Sequence, residues 1–304
     1  MILINCKIFT VTGEIIENGY IKINKNTITD LGSMSGHFVD NNIVDLAQSA
    51  VYPGFVDGHA HIGIDVDRQV ENLGTANVVD FSDLAFPLTL RAGVTTVGVF
   101  PGSANVIGGT VLAAHTTGEI INSNVGTKYA LGENSNVHKK PSGIIGKTFI
   151  HCHTATDIAV AETFSDDVVI IHGTDGTSTS PTMVGPILNT PSKEELKNHS
   201  TSLAARLSKR GIEVARCSDH PELPSDYLRT YAGIAIGEGL PRKTALEAIT
   251  INPAKMLGIS KDYGSIEVGK IADLVVFDEN DDIFAPYAKP KMVIVNGKIV
   301  HENN

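Results

Sequence analysis

Two histidines separated by one residue, His59 and His61, close a short apolar run, VYPGFVDGHAHIG (residues 51–63). Side chains at positions i and i+2 of a strand point to the same face, so the two imidazoles should emerge side by side at the strand's C-terminal end. Two neutral imidazoles at that separation can bind one metal ion. Pro53–Gly54 indicate the start of the strand, and Asp57–Gly58 indicate a tight turn out of it. A pair of histidines alone is more often simply solvated, but this strand context favours a metal site.

The segment around these histidines also resembles a known family. PGFVDGHAH (residues 53–61) is similar to the first barrel strand of the amidohydrolase superfamily of metal-dependent hydrolases. A second, independent similarity lies near the end, where EVGKIADLVVFD (residues 267–278) resembles amidohydrolases of the imidazolonepropionase and dihydroorotase kind. The resemblance implies an α/β fold, a TIM-type (β/α)8 barrel, and a metal-activated water as the nucleophile.

The middle of the chain has the texture that such a barrel requires. Short apolar runs such as RAGVTTVGVFPG, TKYALGEN, KTFIHCH, DDVVIIHG and IEVARCSDH gather polar groups at their C-terminal ends. Helical periodicity lies in residues 192–211, with Ser192 as a candidate cap, and in residues 240–259. A parallel β/α barrel places its chemistry at the C-terminal ends of its strands, where the histidines and aspartates of these runs fall.

Both ends of the chain instead alternate apolar and polar residues in short runs broken by Gly, Asn and Asp. KMVIVNGKIVHE (residues 291–302) reads as a hairpin that turns at Asn296–Gly297. We therefore expect residues 1–52 and 264–304 to form one small β-sandwich domain, and residues 53–263 to form the metal-binding barrel.

The resemblance also implies a ligand set. The histidines that end the fifth and sixth strands and the aspartate that ends the eighth complete the superfamily's metal site, and by motif these are His151, His172 and Asp219. With His59 and His61 they would bind one or two divalent ions, zinc in the first place, with manganese or iron as alternatives. His153 and His220 share the same loops, so we interpret them as groups that orient the ligands or face the substrate.

A two-metal site needs an anionic bridging ligand from the third or fourth strand. TKYALGEN offers Glu133 at its end and Lys128 near its start, the latter only as a carbamate. The two lie five residues apart and so on opposite faces of a regular strand. We expect Glu133 to be the ligand, because it needs no modification. The loop PGSANVIGG (residues 101–109) is either a substrate-binding loop or a plain glycine-rich turn.

The barrel region is short for its type. Residues 134–147 show no helical period, and residues 173–182 are too few to hold a crossover helix. The sequence therefore predicts a shortened barrel that lacks covering helices at these two places. Uncovered apolar wall would favour a homo-oligomer or low solubility.

Composition narrows the partners. The chain has 304 residues and a formal net charge of −10. Nucleic acids and anionic membranes bind basic faces, so we do not expect either as a partner. A small-molecule substrate is the expected partner. The three cysteines are scattered and odd in number, and no signal peptide or membrane span is apparent, so we expect a cytoplasmic protein without disulfides.

These features together predict an enzyme that hydrolyses a C–N bond in an amide, cyclic amide or dipeptide-like substrate, with Asp219 as the general base. Two alternatives stay open. One is a deaminase that uses a single metal, and the other is a non-catalytic metal-binding scaffold.

Overall fold

The structure is a computed structural model that describes residues 1–36, 38, 42–65 and 72–303. In chain order its strands are β1 (Ile2–Phe9), β2 (Ile15–Asn24), β3 (Thr27–Ser33), β4 (Ile43–Asp45), β5 (Ala50–Pro53), β6 (Phe55–Ala60), β7 (Leu73–Gly74), β8 (Val94–Val99), β9 (Ile107–His115), β10 (Ile120–Ala130), β11 (Thr148–Cys152), β12 (Val168–His172), β13 (Thr182–Val184), β14 (Val214–Arg216), β15 (Leu274–Phe277), β16 (Met292–Val295) and β17 (Lys298–Glu302). The helices are α1 (Ala85–Arg91), α2 (Ala155–Ala161), α3 (Leu203–Lys209), α4 (Leu228–Gly237), α5 (Arg242–Glu247) and α6 (Ile251–Met256). Three 3-10 helices cover Thr75–Asn77, Glu194–Leu196 and Ser225–Tyr227. No helix of the described residues is long and apolar enough to cross a membrane.

One sheet is built from both ends of the chain. Its strand order is β17-β16-β15-β5-β1-β2-β3, with β4 added beside β1. The change from this sheet to the other happens at Gly54, between β5 and β6. A Cβ on Gly54 would lie 2.1 Å from Oγ1 of Thr95, so only glycine fits where the two sheets meet. The division of the chain into two separate domains stays a prediction.

The second sheet is the barrel, with the order β14-β13-β12-β11-β10-β9-β8-β6 and β7 beside β9. Strands β10 to β14 run parallel, as do β6 and β8. The open side closes through two backbone hydrogen bonds, from Asp219 N–H to the His59 carbonyl (3.0 Å) and from His61 N–H to the His220 carbonyl (2.8 Å). The predicted α/β barrel is therefore confirmed in a shortened form. It departs from a fully parallel barrel at β9, which runs antiparallel to both β8 and β10.

The covering helices are absent where the sequence predicts it, since residues 131–147 and 173–181 contain no helix. The wall at β10–β12 is nevertheless covered. Val137 and Ile144 of the long loop pack, together with α2, against a cluster that includes the buried Tyr129 and Ile150. The expected bare apolar wall is therefore not found at this place, because an irregular loop takes over the packing of the missing helix.

The predicted helix over residues 192–211 is interrupted. A 3-10 helix, Glu194–Leu196, comes first, and α3 begins only at Leu203. Lys193, not Ser192, stands at the start of the 3-10 helix, and no side-chain cap forms there. The interpretation of Ser192 as a cap was therefore wrong.

Alternate residues of β11 and β12 face two different cores. Phe149 and Ile171 belong to a cluster with Leu257, whereas Ile150 and Ile170 pack with α2. This alternation decides which residues at the strand ends can reach the inside of the barrel.

Candidate metal centre

One group of ligands joins the end of β6 to the loop after β14. The three side chains are His59, His61 and Asp219, and one nitrogen or oxygen atom of each lies within 4.8 Å of the others. Nδ1–H of His61 donates to the carbonyl oxygen of Phe100 at 2.7 Å, which leaves the lone pair on Nε2, 3.3 Å from Oδ1 of Asp219. Nδ1 of His59 is buried and 3.1 Å from the same oxygen, yet it makes no hydrogen bond to any described residue.

A second group consists of three buried imidazoles at the ends of β11 and β12. His151, His153 and His172 each present a nitrogen within 4.8 Å of the other two. His151 and His153 share the inner face with Phe149 by the period of two. Regular alternation would send His172 to the other face, but its φ of +69° breaks the alternation and turns the imidazole toward the group. Such a conformation is uncommon in a residue that is not glycine, and Asp219 shares it with a φ of +59°.

The two groups are neighbours. The ring centroids of His59 and His172 are 5.6 Å apart, and Nε2 of His172 lies 4.0 Å from Oδ2 of Asp219. The structure thus brings together six of the predicted site residues at one end of the barrel. They are His59, His61, His151, His153, His172 and Asp219.

Burial sets the protonation of these groups. Desolvation lowers the pKa values of His59, His151, His153 and His172, so these imidazoles are neutral near pH 7. Burial alone would raise the pKa of Asp219, but the surrounding imidazoles, His172 first among them, hold it well below its ordinary value. Neutral imidazoles and an ionised carboxylate are the forms that bind a divalent ion.

The structure separates the two candidates for a bridging ligand. Glu133 is exposed, and its Oε1 accepts a hydrogen bond from the backbone N–H of Glu195 at 3.1 Å, while Oε2 of Glu195 accepts one from the backbone N–H of Glu133 at 2.9 Å. Glu133 belongs to neither ligand group, and its carboxylate bonds instead to the backbone of Glu195, so the geometry does not support the expected role as a ligand. This reciprocal pair instead ties together two loops at the barrel mouth.

Lys128 lies inside β10 and is fully buried beside the first group. Its Nζ is 3.4 Å from Nε2 of His59 and donates to the carbonyl oxygen of Pro101 at 2.8 Å. Desolvation lowers the pKa of its amine to about 8, although Asp219 acts in the opposite direction. Of the two candidates, Lys128 is the one that the fold places beside the group of His59, His61 and Asp219.

His220 belongs to neither ligand group. Its backbone closes the barrel through His61, and its ring is half-buried with an Nδ1 that has no hydrogen-bond partner in the described part of the chain. Burial lowers the pKa of this imidazole, against the effect of Asp83. No described contact joins its ring to His59 or Asp219.

Asp57 is a positioning residue that sequence reasoning missed. The sequence predicts a turn at Asp57–Gly58, but both residues lie within β6. The buried carboxylate of Asp57 accepts hydrogen bonds from the N–H and hydroxyl of Ser218 (3.1 and 2.5 Å) and from the hydroxyl of Ser225 (2.8 Å). Burial raises its pKa to about 6, and those hydrogen bonds limit the rise. Asp57 thus fastens the loop that carries Asp219 to the strand that carries His59, and its position two residues before His59 was the available signal.

A pocket of about 300 Å³ opens over the centre. Its polar lining adds two residues to His61, His151 and Asp219. They are Ser103, from the loop over residues 101–109, and Asn134, which the sequence did not single out. Nδ2 of Asn134 donates to Oγ of Ser103 at 2.7 Å and lies 3.3 Å from Nε2 of His151. The first part of the loop over residues 101–109 therefore lines the pocket, whereas the part from Ile107 onward is strand β9.

The residues present fit a divalent ion. Imidazole nitrogens and a carboxylate oxygen converge, and the buried Nδ1 of His59 faces a carboxylate oxygen without making a hydrogen bond. Nitrogen and oxygen donors of this kind suit zinc, manganese or iron.

Comparison with known proteins identifies the group to which this arrangement belongs. A sequence model of the amidohydrolase family matches residues 109–300. The chain belongs to the amidohydrolase family. The crystal structure of an amidohydrolase from Thermotoga maritima MSB8 superposes on this amidohydrolase with a TM-score of 0.88 and 25% sequence identity, covering 99% of this chain and 100% of that one.

Two similar proteins match over shorter stretches. A 5-methylthioadenosine/S-adenosylhomocysteine deaminase from Thermoanaerobacter pseudethanolicus is 32% identical over 143 residues, which is 40% of this chain and 33% of the deaminase. A urease subunit alpha from Edwardsiella ictaluri is 59% identical over 51 residues, which is 17% of this chain and 8% of the subunit. The match thus spans a third or less of the length of these relatives.

Proposed function

We propose that this amidohydrolase is a metal-dependent hydrolase that cleaves a C–N bond in an amide, a cyclic amide or a dipeptide-like substrate. The observation that carries the proposal is the convergence of His59, His61 and Asp219 next to three further imidazoles, with His61, Asp219 and His151 lining a pocket. Membership of the family supports the same chemistry.

His59, His61 and Asp219 would hold one divalent ion, and His151 and His172 would contribute to a second. A divalent ion bound there lowers the pKa of a water ligand and polarises the substrate carbonyl. Zinc is the ion that we favour. His61 is held in one orientation by Phe100, and His172 by Gly185, so each keeps Nε2 free for coordination.

Asp219 is the proposed general base. Its pKa is held well below its ordinary value, so it is ionised at neutral pH, and it lines the pocket into which the substrate would enter. It would accept a proton from the attacking water and pass that proton to the leaving nitrogen. Ser103 and Asn134 supply hydrogen-bonding groups at the pocket wall.

Lys128 is the proposed bridging ligand, as a carbamate. Its buried position beside His59 and a pKa lowered to about 8 leave an appreciable neutral fraction of the amine, which is the form that reacts with carbon dioxide. Carbon-13 NMR after exchange into labelled bicarbonate tests this, because a carbamate gives a carbonyl resonance that disappears in Lys128→Met.

A second candidate function is hydrolytic deamination with a single metal. The stretch that is 32% identical to the deaminase favours it. Metal content separates the candidates, since two ions per chain support amide hydrolysis and one supports deamination. A protein that has neither bound metal nor activity would favour the remaining alternative, a non-catalytic scaffold.

The decisive experiment is metal analysis of the purified protein, followed by a screen of amides, cyclic imides, dipeptides and aminopurine nucleosides with zinc or manganese. Hydrolysis that depends on added metal and is absent from His59→Ala/His61→Ala supports the proposal. Activity that persists in this double variant or in excess chelator would refute it.

We propose a small-molecule substrate, no nucleic-acid or membrane partner, a homo-oligomer and a cytoplasmic location. The negative charge of −10 and three buried, free cysteines support these assignments. Light scattering tests the oligomer, and a monodisperse monomer would contradict it.

A further inference from the structure

We propose that the exposed apolar face of α1 is the contact surface for a second copy of this chain, in a dimer related by a two-fold axis. This face consists of Leu84, Pro87 and Leu88, with Asp80 at one end and Arg91 at the other. The interface would account for the homo-oligomer proposed above, and it does not depend on which bond the enzyme cleaves.

Helix geometry places the apolar side chains in one row. Leu84 directly precedes α1, its backbone is already helical, and its carbonyl oxygen accepts a hydrogen bond from the N–H of Leu88 at 3.4 Å. Residues three and four apart on a helix lie on the same face, so Leu84, Pro87 and Leu88 are neighbours and Arg91 continues the row. The opposite face of the helix, which includes Phe86, is buried.

The row is strongly exposed for apolar residues. Leu84 is 76% exposed and Leu88 is 52% exposed. The 3-10 helix Ser225–Tyr227 lies beside α1 and adds Tyr227, which is 48% exposed. A single exposed leucine needs no explanation, but apolar side chains grouped on one face are typical of a contact surface.

The row carries opposite charges at its two ends. Arg91 is exposed and forms no ion pair in the described part of the chain. Asp80 is exposed as well, and its Oδ1 accepts hydrogen bonds from the N–H (2.9 Å) and the hydroxyl (2.6 Å) of Ser82. These bonds lower the pKa of Asp80, so its carboxylate is ionised near pH 7. An occupant of this face should therefore present an apolar row with the same two charges in reverse order.

A second copy of the chain meets this requirement. In an antiparallel pairing of two α1 helices, a two-fold axis midway between Leu84 and Leu88 stacks the two apolar rows on each other. Arg91 lies five residues from that midpoint, or about 7.5 Å along the helix. The axis then brings Arg91 of each copy level with the turn at Asp80 of the other. Opposite charges thus meet twice, and they fix the antiparallel orientation.

The proposed interface adjoins the segment that follows the metal-binding strand β6. Oδ2 of Asp83, at the start of α1, accepts a hydrogen bond from the N–H of Gly63 at 3.1 Å. The N–H of Asp80 donates to the carbonyl oxygen of Gly63 at 2.8 Å. Gly63 lies two residues after His61, so Asp83 is left unchanged in the variants that test the interface.

Light scattering and sedimentation velocity of the full chain test the surface. The parental protein should be a dimer, and Leu88→Glu should raise its dissociation constant by about 100-fold or more, because a two-fold interface contains each substituted residue twice. The matched control is Ile145→Glu, which alters an apolar residue that is 83% exposed in the loop between β10 and β11 and should leave the dimer intact. A parental monomer, or a dimer that persists in Leu88→Glu, would overturn the proposal.

A charge exchange tests the two-fold pairing itself. Arg91→Asp and Asp80→Arg each place like charges opposite each other at both contacts, so each variant alone should dimerise at least about 10-fold more weakly than the parent. In an equimolar mixture every contact joins opposite charges again, and a mixed dimer should form with near-parental affinity. Recovery in the mixture would also show that both variants fold. A mixture of folded chains that stays monomeric would overturn the two-fold contact, while the metal analysis described above tests the proposed function independently.

Discussion

Asp219 and His59 adjoin through their side chains and are hydrogen-bonded through the main chain. Oδ1 of Asp219 lies 3.1 Å from Nδ1 of His59, and the N–H of Asp219 donates a 3.0 Å hydrogen bond to the carbonyl oxygen of His59. The main-chain bond is one of the two backbone hydrogen bonds that close the barrel. Changing either side chain should therefore leave the other in place, which makes substitutions at this site informative.

Substitution of both histidines of β6 should remove an ion without unfolding the protein. In His59→Ala/His61→Ala the backbone hydrogen bonds that close the barrel and the apolar cores remain, because neither depends on the imidazoles. We expect elemental analysis to show the loss of at least one ion per chain, with an unchanged circular dichroism spectrum. The control is His138→Ala/His301→Ala, which alters residues outside both ligand groups. Unchanged metal content in the first variant would contradict the site assignment.

Asp219→Asn separates proton transfer from metal binding. The amide keeps the shape of the carboxylate but cannot accept a proton, so we expect the turnover number to fall by about 10²–10⁴-fold. Metal should be largely retained through the histidines. His220→Ala removes a ring that belongs to neither ligand group, so it should lower the turnover number less. Turnover at the parental rate in Asp219→Asn would show that this residue is neither base nor essential ligand.

Glu133 should prove to be a structural residue. Glu133→Gln keeps an oxygen that can accept from the N–H of Glu195, so metal content and stability should stay near the parental values. Glu133→Ala loses that hydrogen bond and should lower the free energy of unfolding by about 1 kcal/mol. Urea unfolding and elemental analysis measure the two effects. Loss of metal in Glu133→Gln would show that Glu133 is a metal ligand.

Asp57→Ala should be more damaging than any single substitution at the pocket wall. It leaves the N–H of Ser218 and the hydroxyls of Ser218 and Ser225 without their buried acceptor, at a cost of about 1–3 kcal/mol for each group that stays unsatisfied. Ser225→Ala removes one of these donors and should cost about 1 kcal/mol. Equal stabilities of the two variants, measured by urea unfolding, would show that Asp57 does not fasten the loop.

Much of this centre was predictable because strand geometry is local. The period of two places His59 beside His61, and the apolar runs that end in His151 and His172 indicate neighbouring strand ends, while the resemblance to the amidohydrolase superfamily implied Asp219. The missing helices were predictable too, since residues 134–147 lack a helical period.

The features of the site that the sequence could not predict depend on where strands end and on tertiary contacts. Lys128 and Glu133 occupy the same run, and only tertiary contacts place Lys128 beside His59 and Glu133 beside Glu195. His172 reaches the centre through a positive φ that no residue pattern reveals. Asn134 and Ser103 meet through folded loops that are distant in sequence.

The sheet made from both ends of the chain has a consequence for synthesis on the ribosome. Strand β5 pairs with β1 on one side and with β15 on the other, yet β15 emerges only after the whole barrel has been translated. Until then one edge of β5 presents unpaired backbone groups, which can pair with another chain. The nascent protein should therefore be most prone to aggregate late in translation. A released chain that stops before Leu274 lacks β15, so the free edge of β5 stays unpaired.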